Sequence, residues 1–157
     1  MDIHAKLNEL GLKLPPAPKP VAAYVPSVQA GELVYISGQI PIADGQITCT
    51  GQVPSSASLE TAQDAARLCC LNALAILDDA IGGNWSRLVR IVRIGVFVAS
   101  SDDFTDQPKV ANGASELLVE IFGETGRHTR AAVGLNVLPL NSTVELEMIA
   151  QIAPQEA

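Results

Sequence analysis

The spacing of apolar residues changes period several times along the chain, and each change marks a predicted element. Ile3, Leu7 and Leu10 recur at helical spacing as far as Gly11. Leu14 then enters the stretch Pro15-Pro16-Ala17-Pro18-Lys19-Pro20, where repeated proline removes backbone donors and favours an extended tether. Residues 21–25 and 33–37 have the composition of short strands, with Gly31-Glu32 as the turn and Gly38 ending the second. Asp44-Gly45 is a turn dipeptide, and residues 46–57 form a polar loop rich in Thr, Ser and Gly.

From Ser58 the period becomes helical. Ser58 supplies a cap, Glu60 lies in the first turn, and Ala62, Ala66, Cys69, Cys70, Ala73, Ile76, Leu77 and Ala80 share one face up to Gly82-Gly83. Residues 88–98 are nearly continuous in Val and Ile, the pattern of an interior strand, with Arg90 and Arg93 expected on opposite faces. Asp102 and Asp103 can open a second helix whose buried stripe is Val110, Ala114, Leu117, Leu118, Ile121 and Phe122, ending at Gly123. A last pair of strands follows. In the final one Val144, Leu146, Met148, Ala150 and Ile152 lie on one face, while Thr143, Glu145, Glu147 and Gln151 project from the other.

The resulting order, β-β-α-β-α-β-β, predicts an α+β fold in which two helices cover one face of a mixed sheet. The expected organisation is a helical arm with a proline-rich tether over residues 1–20, then one domain over 21–157. A chain of 157 residues is long enough to bury a core of its own. With mean hydropathy +0.26 and only 17% charged residues, it is also apolar for a small monomer, so the second sheet face is expected to be buried against other copies of itself.

A net charge of −7 and a pI of about 4.7 repel phosphate backbones and anionic membranes. Nucleic-acid and membrane partners are therefore disfavoured. The chain starts without an apolar leader segment, and no apolar run approaches the ~18–20 residues of a membrane span, which reads as a cytoplasmic protein. Cys49, Cys69 and Cys70 have neither disulfide nor zinc spacing, and the sequence calls for no metal or organic cofactor. The Asp78-Asp79 pair lacks companion ligands and reads as solvated, and the triplets Asn84-Trp85-Ser86 and Asn141-Ser142-Thr143 read as chance matches to a glycan acceptor.

Candidate chemistry centres on Arg130, an arginine beside small and apolar strand residues. In a sheltered cleft its planar fork could grip a carboxylate with two parallel charge-assisted hydrogen bonds, although taken alone a solvated strand-end charge is the simpler reading. If the last two strands form a hairpin turning near residues 139–142, Arg130 pairs near residue 150 and Glu145 near residue 136. They then stand on the order of 20 Å apart, so a ligand touching both would need a second subunit.

Tyr24, the run Val34-Tyr35-Ile36-Ser37-Gly38-Gln39-Ile40-Pro41, the run Arg130-Ala131-Ala132-Val133-Gly134, and Leu138-Pro139 followed by Val144-Glu145-Leu146-Glu147 together resemble the RidA (reactive intermediate deaminase A) or YjgF superfamily. The likeness runs from about Val21 to Ile152 and is closest to a longer subgroup with an N-terminal arm. It implies a chorismate-mutase-like homotrimer with small-carboxylate clefts between subunits. Its hydrolytic members convert reactive imines and enamines to 2-oxo acids and ammonia without a cofactor. Carried over by position, Arg130 clamps the substrate carboxylate and Glu145 orients or deprotonates water. Tyr24, Ser37, Gly38, Asn112 and Ala132 line the site, and His128 receives no role. Ala132 departs from the cysteine often found there in the hydrolytic branch; the smaller side chain need not abolish catalysis but reshapes the pocket and so bears on substrate range, while a non-catalytic binder of small carboxylates is the alternative and an RNA-cleaving enzyme a more remote one.

Overall fold

A computed structural model describes residues 3–17 and 23–154. In chain order the elements are α1 (Ile3–Glu9), β1 (Ser27–Ala30), β2 (Leu33–Gln39), the small hairpin β3 (Ile42–Ala43) and β4 (Gln46–Ile47), α2 (Leu59–Ala80), β5 (Leu88–Ala99), α3 (Gln107–Phe122), β6 (Thr129–Leu135) and β7 (Val144–Ile152). Five strands form one mixed sheet in the order β1-β2-β7-β5-β6. Only β5 and β6 run parallel.

Both long helices lie on one side of this sheet, as the periodicity predicts. The Ser58 hydroxyl accepts the Thr61 amide at 3.1 Å and so caps α2. Ala62, Ala66, Cys69, Ala73 and Leu77 of α2 and Ala114, Leu117 and Leu118 of α3 are buried with Ile91, Ile94, Val96, Leu146 and Met148 of the sheet. Small side chains let the two helices approach closely. At Gly113 an added Cβ would collide with the Gln63 carbonyl, so this contact admits no larger residue without moving α2. Asp78, expected to be solvated, instead accepts a hydrogen bond from the Trp85 indole, whose ring stacks on Phe122 at 5.6 Å.

Several local expectations need correction. Of residues 21–25, Val21 and Ala22 lie outside the described residues and 23–25 are irregular; the first strand begins at Ser27. The second long helix begins at Gln107, not at Asp102-Asp103, because Pro108 lacks an N–H and fits the first turn, where an earlier start would place it in the helix interior. Arg90 and Arg93 share one face, because irregularities in β5 break its alternation and set them opposite Gln151 and Ile149, which both point away from the helices.

The largest correction concerns the last two strands, which do not pair with each other. Helix α3 provides the crossover that a parallel pair requires, so β6 docks beside β5, and β5 separates it from β7. Residues 136–143 bridge across that intervening strand.

The amino-terminal arm is part of the core. Ile3 and Leu7 are each only 1% exposed, Leu10 packs against the same cluster, and α1 contacts α3. Truncating Leu7 to alanine is expected to cost about 2–5 kcal/mol in chemical unfolding, the usual range when a fully buried leucine is removed. Unchanged stability in that variant would detach the arm from the fold.

Candidate functional site

The sheet has one face beneath the helices and a second that no element of the described chain covers. Strand alternation assigns the side chains. Inward go Val34, Ile36, Ile94, Val96, Leu146 and Met148; outward go Tyr35, Phe97, Ile149, Val133 and the polar residues Arg93, Glu145 and Glu147. Tyr35 and Val133 remain 45% and 46% exposed, so the outer face is apolar with a few charges set into it.

Glu145 is the least compensated of those charges. Its carboxylate lies against Gly38 so closely that a Cβ there would collide with Oε1; glycine is what lets β2 and the carboxylate share this space. The irregular pairing of β2 with β7 between Ile36 and Gln39 brings the two together. Among the described residues Glu145 has no hydrogen bond or ion pair, whereas Glu147 is paired with Arg93 at 3.1 Å. Burial, with the like charge of Glu147 as the second cause, raises the Glu145 pKa above its ordinary value. A half-buried carboxylate of raised basicity suits proton transfer to and from a small reactant.

Ser37 and Tyr24 border the same region. The Ser37 hydroxyl donates to the Val25 carbonyl at 2.8 Å and its amide to the Pro26 carbonyl at 2.9 Å, fastening the segment that carries Tyr24 to β2. Tyr24 itself is exposed. Beside them a groove of about 320 Å³ is lined by Val25, Tyr35, Ser37, Arg93, Glu147 and Ile149.

Arg130 belongs to the other side of the sheet. It is in register with Ile94, and hence with Met148 across β5, both of which face the helices. Its Nη1 donates to Asn112 Oδ1 at 2.9 Å and to Ser115 Oγ at 3.0 Å, two α3 side chains one turn apart. Both Nη1 protons are thereby engaged, and among the described residues no carboxylate pairs with the guanidinium. The Nε and Nη2 protons remain as an unoccupied fork, the arrangement that takes a carboxylate in two parallel bonds. Ala132, two residues further on, faces the same side and packs against the core. Asn112 thus touches Arg130 directly.

The seven predicted site residues therefore fall into two groups within one chain. Arg130, Asn112 and Ala132 lie on the helix side of edge strand β6; Glu145, Gly38, Ser37 and Tyr24 lie at the outer face and the β1–β2 edge. Arg130 is level with Met148, three residues along β7 from Glu145 and two strand spacings away, about 14 Å between backbones. That is shorter than a hairpin would impose. It is still too far for one small ligand, and the two side chains point to opposite faces.

A model described as "YjgF/chorismate_mutase-like, putative endoribonuclease" matches residues 4–152. This chain belongs to the YjgF/RidA family. Protein TCP17 of Trypanosoma cruzi is 41% identical over 96% of the chain and 94% of its own length. A solved structure from Agrobacterium tumefaciens, a protein of unknown function, superposes with TM-score 0.89 at 42% identity, covering 96% of this chain and 92% of that one. A 2-iminobutanoate/2-iminopropanoate deaminase of Dermatophagoides farinae is 28% identical over 90% of the chain and 94% of its own length. The chorismate-mutase-like fold of the YjgF/RidA family thus agrees with the helices and mixed sheet of this chain.

Two polar residues beside Arg130 had no role in the sequence reading. Ser115 lies three residues after Asn112 on the same helix face, and its hydroxyl is 3.0 Å from His128 Nε2. His128 precedes Arg130 by two, which in an extended chain places both on one side. The cysteines lie elsewhere in the interior: all three are buried free thiols, and burial pushes Cys70 up to about 12. Among the described residues no helix is long and apolar enough to cross a membrane, and no cluster of three His, Cys, Asp or Glu could hold a metal ion.

Proposed function

We propose that this YjgF/RidA-family chain is an enamine and imine deaminase acting in clefts between the subunits of a homotrimer. The reactants are 2-enamino acids and their 2-imino tautomers, and the products are 2-oxo acids and ammonia. Arg130 of one subunit grips the substrate carboxylate through its free fork, which leaves C2 of the imine facing Glu145 of the next. Glu145 takes a proton from water as the oxygen bonds to C2, giving a carbinolamine. On a protonated imine that addition leaves a neutral amino group; Glu145 then returns the proton to it, the C–N bond breaks, and ammonia leaves as the hydroxyl proton passes back to Glu145 and the carbonyl forms.

Glu145 carries this reading. A protein that merely binds small carboxylates has use for Arg130 but gains nothing from an unpaired carboxylate beside an anionic ligand. The assignment of the two groups to opposite faces, and the uncovered apolar sheet surface, favour a site completed by a second copy. The deaminase name of the Dermatophagoides relative supports the substrate class. Ala132 favours the alternative, a non-catalytic carboxylate binder, because the thiol found there in many hydrolytic members is absent. RNA cleavage, named in the family description, is opposed by the net charge of −7. We place the protein in the cytoplasm as part of the same proposal.

The test couples the purified protein to a dehydratase that releases 2-aminoacrylate or 2-aminobutenoate, and follows 2-oxo-acid formation. Acceleration over the uncatalysed hydrolysis is expected. Saturable binding of a 2-oxo acid without acceleration would leave the binder reading in its place.

A further inference from the structure

Arg130 has a long, flexible side chain at an exposed sheet edge, yet its guanidinium is held at one end only, and the way it is held has a direction. Of its two partners, Asn112 Oδ1 can only accept. Ser115 Oγ can accept or donate, so which way its proton points decides whether it holds the arginine or repels it. That proton is directed by His128.

The directions follow from the acceptor at the far end. His128 Nδ1 lies 2.6 Å from the Gly126 carbonyl, an oxygen that only accepts, so Nδ1 carries a proton. Burial is the main cause holding the His128 pKa below its ordinary value; the Arg130 charge adds to it, and the bond to Gly126 opposes it. The ring is accordingly neutral near pH 7, and Nε2 is a bare acceptor. Ser115 Oγ, 3.0 Å away, donates its proton to Nε2. Its lone pairs then face Arg130 Nη1, also at 3.0 Å. The chain runs from Arg130 to Ser115 to His128 in one donor direction, and among the described residues no hydrogen bond joins His128 to the Nε–Nη2 fork.

We propose that His128 is a positioning residue: by accepting the hydrogen bond of the Ser115 hydroxyl it fixes the Arg130 guanidinium with the Nε–Nη2 fork open to a ligand carboxylate. The inference rests on Arg130 being the carboxylate clamp. Its effect belongs to binding, because the fork meets the carboxylate equally in ground and transition states.

The experiment uses the full-length protein, 2-oxobutanoate as an unreactive probe measured by calorimetry, and the dehydratase-coupled assay for turnover. His128→Leu and Ser115→Ala should each weaken 2-oxobutanoate binding by about tenfold, the scale of immobilising one rotamer-rich side chain. The double variant should be no weaker than either single variant, because both remove the same connection. His128→Gln, whose amide oxygen can take the Ser115 proton, should bind within about twofold of wild type. KM should rise in the two disruptive variants while kcat holds.

Wild-type affinity in His128→Leu and Ser115→Ala, multiplying losses in the double variant, or failure of glutamine to restore binding would overturn the positioning role. Arg130→Ala separates this from the site reading. If that variant binds 2-oxobutanoate as well as wild type, the clamp itself is wrong; if it loses binding while the His128 and Ser115 variants keep theirs, only the positioning inference falls. Should His128→Leu fail to fold, the comparison of Ser115→Ala with His128→Gln, each with its melting temperature, still decides.

Discussion

Arg130→Ala is expected to raise KM for a 2-imino acid by about a hundredfold or more and to change kcat little. Hydrogen bonds to a charged group are each worth about 1.5–3 kcal/mol, and the alanine variant loses two of them while the substrate carboxylate stays in a site without a counter-charge. In the proposed reaction the fork meets the carboxylate before and during water addition alike, so the loss falls on binding. Arg130→Lys should recover only part. An ammonium that donates to Asn112 and Ser115 has one proton left and no planar edge for two parallel bonds. The check is steady-state kinetics with calorimetric titration of a 2-oxo acid. Unaltered KM in the alanine variant would mean that the carboxylate docks elsewhere.

How much of this was legible in the sequence depends on whether a feature is local. Helix α2 was readable because Ser58 caps it and small apolar residues recur along one face; both are properties of consecutive residues. Likewise the alternation from Val144 to Ile152 put Glu145 on the face away from the helices. Pairing order was not readable. Two strands joined by a short link suggest a hairpin, and only the parallel docking of β6 on β5 across α3 shows that the link spans a strand. The position of Arg130 suffered from the same error, since its face and its partners Asn112 and Ser115 follow from the crossing of β6 with α3. His128 carries no sequence signal of its own, because a lone histidine near a strand acquires meaning only from what its two nitrogens meet. The approach of Gly38 to Glu145 was equally hidden, being set by an irregularity in the pairing of β2 with β7.

Glu145→Gln is the complementary variant, and its loss should fall on turnover: kcat lower by about 10²–10⁴, the usual contribution of a positioned general base, with KM nearly unchanged. Glutamine keeps the shape beside Gly38 and removes only the charge, so folding should survive; a half-buried carboxylate crowded by Glu147 is not a stabilising feature. The wild-type pH profile supplies a second check. As the proposed base Glu145 works only when ionised, and its pKa is raised, first by burial and then by Glu147, so activity should fall with decreasing pH at a point above that of an ordinary glutamate. Glu147→Gln removes the second cause and releases Arg93 from its 3.1 Å ion pair, leaving a cation on the same face. Both changes favour the ionised form of Glu145, so the acid limb should move to lower pH. An acid limb that stays in place in Glu147→Gln, together with full turnover in Glu145→Gln, would assign the proton transfer to another group and leave Glu145 as a feature of the subunit contact.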